Sequence, residues 1–320
     1  MEKKQVELVE ENRKLISDIS VLSGSDRIEK IAEEKYRRMQ AADLRQAINS
    51  PSGELTKWVL VEGKFDRDFY PIIFRDDVRV YMAGRVSEDD EKKRVNGGVR
   101  AVLDVVETIL NDGYTKSIIG IIDRDYYDYR AYGDSVGVDT TGHVFMTDYR
   151  DLEMTLCTMS SAWDTISSLP EYNESLSTGW EEVIRYIGAI RVANRYYRVY
   201  ESLEFSVGNL YNYTTHTIML NWQDIVWAQV KKKGENALQK GMLEMLEAKF
   251  HLSDLHYSCY TRGHDAFKLL AIMLKSTKYK EEELVKKMID NCTFADCKNL
   301  SLYKDISNWE AAHVEMLKRE

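Results

Sequence analysis

Long apolar runs are missing from this chain: none approaches the roughly 20 residues of a membrane span. The opening Met1-Glu2-Lys3-Lys4 leads into charged sequence, not the apolar segment of a signal peptide. Both absences predict a soluble, cytoplasmic protein with no membrane contact. The four cysteines (Cys157, Cys259, Cys292, Cys297) form no Cys-x-x-Cys pair, and the six histidines show no zinc spacing beside them. Structural thiols are therefore expected, not a zinc module. Prolines number only three, so segment boundaries are soft. Gly-x-x-x-x-Gly-Lys-Ser/Thr is absent, and nothing in the chain supplies ATP hydrolysis. Positive charge is also in deficit, with 44 Lys and Arg against 53 Asp and Glu for a formal charge of −9. A role on phosphate backbones then requires acidic residues consumed at a metal site and basic residues concentrated locally.

A length of 320 residues with 44% hydrophobic content is enough for two domains with real cores. Residues 1–50 are charged and helical in period, with Ser25 and Asp26 as a cap, and form either a partner-binding segment or a packing helix. From 51 to 160 the pattern alternates: strand 57–62, helix 66–74, strand 78–82, helix 99–110, strand 117–122, strand 143–146. Such alternation predicts an α/β unit, a Rossmann-like parallel sheet flanked by helices. From 161 to 320 helical periodicity dominates (163–169, 180–190, 192–203, 222–232, 236–250, 265–274, 281–289, 302–317), predicting a mostly α-helical accessory domain.

Two strands end in carboxylates. Trp58-Val59-Leu60-Val61 runs into Glu62-Gly63-Lys64-Phe65-Asp66, and Ile118-Ile119-Gly120-Ile121-Ile122 into Asp123-Arg124-Asp125. Continuous aliphatic runs are strands buried on both faces, and ligands of open α/β sheets bind at the strands' carboxyl ends. Glu62, Asp123 and Asp125 should converge there, and crowded acidic oxygens favour a hard divalent cation, Mg²⁺ with Mn²⁺ as a substitute. Strand alternation would put Asp123 and Asp125 on one side and Arg124 on the other. Asp66 either caps the following helix or joins the ligands, and Lys64 either meets substrate phosphate or offsets the negative charge. Asp148, Asp151 and Glu153 follow the 143–146 strand; Asp151 and Glu153 are placed between metal ligation and helix capping.

Basic and aromatic residues interleave in Arg185-Tyr186 and in 191–200. Arg191, Arg195 and Arg198 at i, i+4 and i+7 would share a helix face as a phosphate track, with tyrosines stacking unpaired bases; core tyrosines and surface ion pairs are the rival. Tyr126-Tyr127-Asp128-Tyr129-Arg130 would line the entrance. Residues 87–94 form a mixed-charge loop, and Asn96-Gly97-Gly98 either approaches a phosphate or simply closes into a helix. His264, in Arg262-Gly263-His264-Asp265, is a candidate proton shuttle or phosphate ligand.

The succession Val61-Glu62-Gly63, Asp123-Arg124-Asp125, Thr147-Asp148-Tyr149-Arg150-Asp151-Leu152-Glu153 and Arg262-Gly263-His264-Asp265 resembles the bacterial TOPRIM proteins typified by the effector subunit of the PARIS anti-phage system, over residues 56–270. The resemblance implies a TOPRIM fold and Mg²⁺-dependent phosphoryl transfer on nucleic acid. Glu62, Asp123 and Asp125 would hold metal, and Glu153 or Asp151 would complete the cluster. It also implies anti-phage defence, transfer RNA as target, homodimerisation and restraint by a separate ABC/AAA-type ATPase subunit. Two other functions keep the same residues: a metal-dependent DNA nuclease of the overcoming-lysogenisation-defect type, and a non-catalytic sensor or scaffold.

Overall fold

A computed structural model describes residues 57–83, 85–86, 95–96, 98–111, 118–125, 142–172, 174–197, 199, 203–231, 238–274 and 279–319. The expected segment 1–50, the 87–94 loop, Gly97, the aromatic run 126–130 and Arg198 lie outside the described residues. Strands β1 (Lys57–Val61), β2 (Val78–Met82), β5 (Ile118–Ile122) and β6 (Val144–Met146) form a parallel four-stranded sheet in the order β2-β1-β5-β6. Two short antiparallel pairs lie outside it: β3 (Arg85–Val86) with β4 (Val95–Asn96), and β7 (Tyr211–Asn212) with β8 (Thr217–Ile218). The chain is thus α/β, with helices on the sheet and a helical C-terminal part, and each main strand falls within a residue or two of its expected bounds.

The central strands are apolar throughout because both of their faces are covered. Trp58, Leu60, Ile118 and Ile122 meet Val102, Val105, Val106 and Ile109 of helix α2 (Val99–Asn111). Gly120 allows this close approach, since a Cβ there would stand 2.7 Å from Val102 Cγ1. Val59, Val61, Ile119 and Ile121 face the other way, into a core continuous with the C-terminal helices. Each such side chain, fully buried, contributes about 1.5–3 kcal/mol.

That second core is built from α1 (Lys64–Phe69), α3 (Leu152–Leu156), α4 (Ser160–Ser167), α5 (Glu174–Tyr197), α6 (Trp222–Lys231), α7 (Lys240–Phe250), α8 (Gly263–Met273), α9 (Glu281–Asn291), α10 (Phe294–Cys297) and α11 (Ser301–Glu310). Helix α9 contacts α1, α3, α4 and α8, linking the sheet's helices to the C-terminal ones. The helices expected at 180–190 and 192–203 are instead one, α5, ending at Tyr197: nothing between Ile190 and Val192 breaks it, and Leu203 is not helical. The helix expected over 302–317 stops at Glu310. The chain then turns back, Arg75 N–H donating to Met316 O at 2.9 Å and Lys318 N–H to Ile73 O at 2.8 Å. Buried Glu310 holds that return, accepting from the Leu317 N–H at 2.6 Å and from Arg319 Nη2 at 2.6 Å. Among the described residues no helix is long and apolar enough to cross a membrane.

Candidate functional site

Parallel pairing of Val61 with Ile121 brings the ends of β1 and β5 level, so the next side chains emerge together at the sheet's carboxyl edge. The Asp123 N–H donates to Glu62 Oε1 at 2.7 Å. Gly98, at φ +112, starts α2 over the same spot; a Cβ there would lie 3.8 Å from Glu62 Oε2, and the Val99 backbone also bonds Glu62. Asp66, in the first turn of α1, accepts the Gly63 N–H at Oδ2, 2.9 Å away, and is buried. It thus satisfies the N-cap N–H of α1 while facing Asp151 among the acidic residues.

Thr147 pins the loops after β5 and β6 to each other. Its Oγ1 accepts the Arg124 N–H at 3.0 Å and donates to Tyr149 O at 2.6 Å, and its carbonyl accepts Arg124 Nε at 3.1 Å. Arg124 is thereby turned away, as expected. Strand alternation, however, is not what aligns Asp123 with Asp125: β5 ends at Ile122, and Asp125 takes a left-handed φ of 48°. Asp125 is held by the Arg150 guanidinium, Nη2 to Oδ1 at 2.6 Å, while Nη1 reaches Asp151 Oδ2 at 2.6 Å.

Asp151 is a structural hub. Its Oδ1 accepts the Met154 N–H at 3.0 Å, capping α3, and its Oδ2 accepts the Gly263 N–H at 2.9 Å, tying α8 to α3. Only glycine fits at 263, since a Cβ would stand 2.4 Å from Glu153 Cβ and 2.7 Å from Asp151 Oδ1. Glu62, Asp123, Asp125, Arg150, Asp151, Glu153, Arg262 and His264 line one cleft of about 250 Å³.

The carboxyls of the cleft raise one another's pKa values. Burial first, then Asp66 and Asp125, raises the Glu62 carboxyl to about 7 despite the opposing hydrogen bond from Asp123 N–H. Asp66 rises to about 7 through burial and Asp151, and Glu153 to about 8 through burial, Asp151 and Asp66. Asp123 is pushed well above the carboxylate range by burial, Asp66 and Glu62. Asp151 also rises by burial, against the pull of Arg150 and two backbone N–H groups. Burial is the largest cause in each case, and neighbouring carboxylates add to it.

The donor set, all carboxylate oxygen, fits Mg²⁺ or Mn²⁺ in kind. Among the described residues, though, no group of three or more Asp, Glu, His or Cys already converges on one ion. Arg150 draws Asp125 aside, and Asp151 is engaged by Met154, Gly263 and Arg150.

Other expected residues lie elsewhere. Lys64 is half exposed and pairs with Glu282 of α9 at 2.7 Å, and it does not line the acidic cleft. Arg191 is buried and bidentate to Asp265, Nε to Oδ2 at 2.5 Å and Nη2 to Oδ1 at 3.0 Å, and also donates to Leu203 O. It therefore belongs to the core and not to a phosphate track, and only Arg195 of the two described arginines is exposed. Asp148 accepts the Ser301 and Leu302 N–H groups at 2.5 and 2.9 Å, capping α11. His264 does reach the cleft, with Nδ1 2.6 Å from Glu281 Oε1. Three contributors had no role assigned from the sequence: Arg150, the cation inside the acidic run after β6; Arg262, held by Glu204 at 3.1 Å; and Glu281, beside His264. A lone arginine between Asp148 and Asp151 was the available signal for the first. No family model matches the chain, and no curated protein matches it.

Proposed function

We propose that the chain is a Mg²⁺-dependent TOPRIM-type nuclease that hydrolyses phosphodiesters in nucleic acid, with RNA favoured over DNA. The observation that carries this is the juxtaposition of Glu62 and Asp123 at the carboxyl edge of a parallel sheet, inside a cluster of carboxyls whose pKa values are raised by burial and by one another. Glu62 and Asp123 would hold the ion, with Asp66, Glu153 or a re-turned Asp125 completing the set. Bound there, Mg²⁺ would polarise a phosphoryl oxygen and lower the pKa of a coordinated water.

The chain's own groups do the rest. Arg262 faces the same cleft and orients substrate phosphate, while buried Arg150 holds Asp125 and Asp151 in place. Glu281 holds His264 by Nδ1, leaving Nε2 to carry a proton to the leaving oxygen. Asp151 acts by positioning, since it fixes Arg150 and Gly263. Defence against phage, transfer RNA as target, a homodimer and a separate ABC/AAA-type ATPase that restrains the nuclease are parts of the proposal that rest on the sequence resemblance.

The test is to sequence RNA and DNA termini from cells expressing wild type or Glu62→Ala. New RNA ends at one anticodon loop, lost in Glu62→Ala, support the transfer-RNA nuclease; broken DNA with intact transfer RNA transfers the site to DNA cleavage. A scaffold reading has one observation in its favour, the absence of a preassembled ion cage among the described residues. Full toxicity in Glu62→Ala would select it.

A further inference from the structure

Residues 203–206 alternate in the manner of an extended chain: Leu203 and Phe205 are buried, Glu204 and Ser206 exposed. The backbone on either side of Glu204 is anchored. Arg191 Nη1 donates to Leu203 O, its guanidinium lies 5.2 Å over the Phe205 ring, and the Ser206 N–H donates to Gln229 Oε1 at 2.6 Å. Glu204 itself adds nothing to the core, since its side chain is 61% exposed. Its carboxylate is instead set against Arg262, whose Nη1 donates to Oε1 at 3.1 Å and to Oε2 at 3.4 Å, while Arg191 Nη2 stands 3.9 Å from Oε2. Burial alone would raise the Glu204 carboxyl; Arg262, Arg191 and His264 together hold it below the usual carboxylate range. Arg262 and His264 both line the acidic cleft. Glu204 is therefore an anion of the chain's own, placed on the cleft residue that faces substrate phosphate.

The two arginines beside Glu204 differ in what can displace their partners. Arg191 is 8% exposed and bidentate to Asp265, itself 2% exposed, and opening so buried a pair would leave a charge uncompensated. With the Gly263 N–H bonded to Asp151 at 2.9 Å, this pair fixes the backbone that carries Arg262. The Arg262 side chain is 34% exposed, and its pair with Glu204 lies open to water. Such a pair contributes little stability and exchanges readily for another oxyanion. A guanidinium accepts a carboxylate or a phosphate through the same forked set of donors, so the position that Glu204 fills is one that a phosphate fits.

We propose that Glu204 is a specificity-determining residue that seats its carboxylate on Arg262 in place of a substrate phosphate, and that an incoming phosphate displaces it. The anchored backbone keeps the carboxylate at hand, and solvent exposure keeps the pair exchangeable. A lone weak anion competes poorly with a carboxylate that is always present, whereas a polyanion gains from its adjoining phosphates when it takes the seat. That the phosphate belongs to a nucleic-acid strand rests on the nuclease reading above; the seat on Arg262 does not.

Binding is measured on the full chain in EDTA, so that cleavage plays no part, with sodium pyrophosphate by calorimetry and a fluorescein-labelled single-stranded RNA by anisotropy. Glu204→Gln should tighten both by about two- to fivefold, the span of one exposed ion pair. In an Arg262→Gln background the gain should vanish, because the seat is gone. Glu204 is mostly exposed, so Glu204→Gln should melt like wild type. Unchanged or weaker binding by Glu204→Gln overturns the inference, since the carboxylate would then hold Arg262 ready for substrate instead of competing with it. A gain that persists without Arg262 is a general charge effect and overturns it too, as does a chain that binds neither probe with or without Glu204. The nuclease reading fails separately. If pyrophosphate binding depends on Glu204 and Arg262 as stated while strands do not bind and no Mg²⁺-dependent cleavage occurs, only the nuclease falls; if cleavage needs Asp123 while Glu204→Gln binds like wild type, only the role of Glu204 falls.

Discussion

Replacing Asp66 with asparagine should stabilise the metal-free protein at alkaline pH, an unusual outcome for a buried capping residue. Asp66 is 9% exposed, accepts the Gly63 N–H at 2.9 Å and is surrounded by other carboxyls. Burial and Asp151 raise its pKa from 3.8 to about 7. A folded-state pKa above the unfolded value means that the native chain retains a proton that the unfolded chain releases. The associated stability is complete below about pH 3.8 and is lost as pH rises through about 7. At about 1.4 kcal/mol per pH unit, an ionised Asp66 costs on the order of 4 kcal/mol at pH 8, part of it shared with its coupled neighbours. Asparagine keeps an acceptor for Gly63 and carries no charge. Chemical denaturation in EDTA should therefore find Asp66→Asn more stable than wild type by about 2–4 kcal/mol at pH 8, with the two converging near pH 4. Saturating Mg²⁺ should recover much of the difference for wild type. A constant deficit for Asp66→Asn at every pH would refute the electrostatic reasoning and leave a simple cap.

Arg150→Met strands Asp151 and releases Asp125; breaking a buried ion pair costs about 3–5 kcal/mol, read in the same denaturation assay near neutral pH. Gly263→Ala drives a methyl into Glu153 and Asp151 and should cost about 1–3 kcal/mol, with a lower thermal midpoint as the readout. Arg191→Met should destabilise by a similar 3–5 kcal/mol, because Asp265 loses its buried bidentate partner. Arg195→Ala, at an exposed helical position, should stay within about 0.5 kcal/mol of wild type.

The centre of the sheet was legible because parallel strands buried on both faces must be largely aliphatic, and β1 and β5 announce themselves in that way. Parallel strands share one carboxyl edge, which is why Glu62 and Asp123 were expected together. Arginine orientation was not legible. Residues 187–194 are all buried, so α5 is encased on every side there and helical spacing cannot identify an outward face. The long-range contacts of Lys64 and Asp151 were hidden for a related reason. Their partners, Glu282 and Gly263, come from helices far along the chain, and local pattern carries no trace of such contacts. Asp125 escaped strand alternation because β5 ends one residue before Asp123 and the chain then turns left-handed.

Direct measurement of divalent-cation binding is the sharpest test of the acidic cluster. Mn²⁺ titration of the metal-free full chain near about pH 7.5, followed by electron paramagnetic resonance, should show tight binding in wild type that Mg²⁺ displaces. Asp123→Asn should lose at least about tenfold in affinity, equivalent to about 1.4 kcal/mol. Wild type that binds no Mn²⁺, or binds it as well with Asp123→Asn as without, would contradict the account.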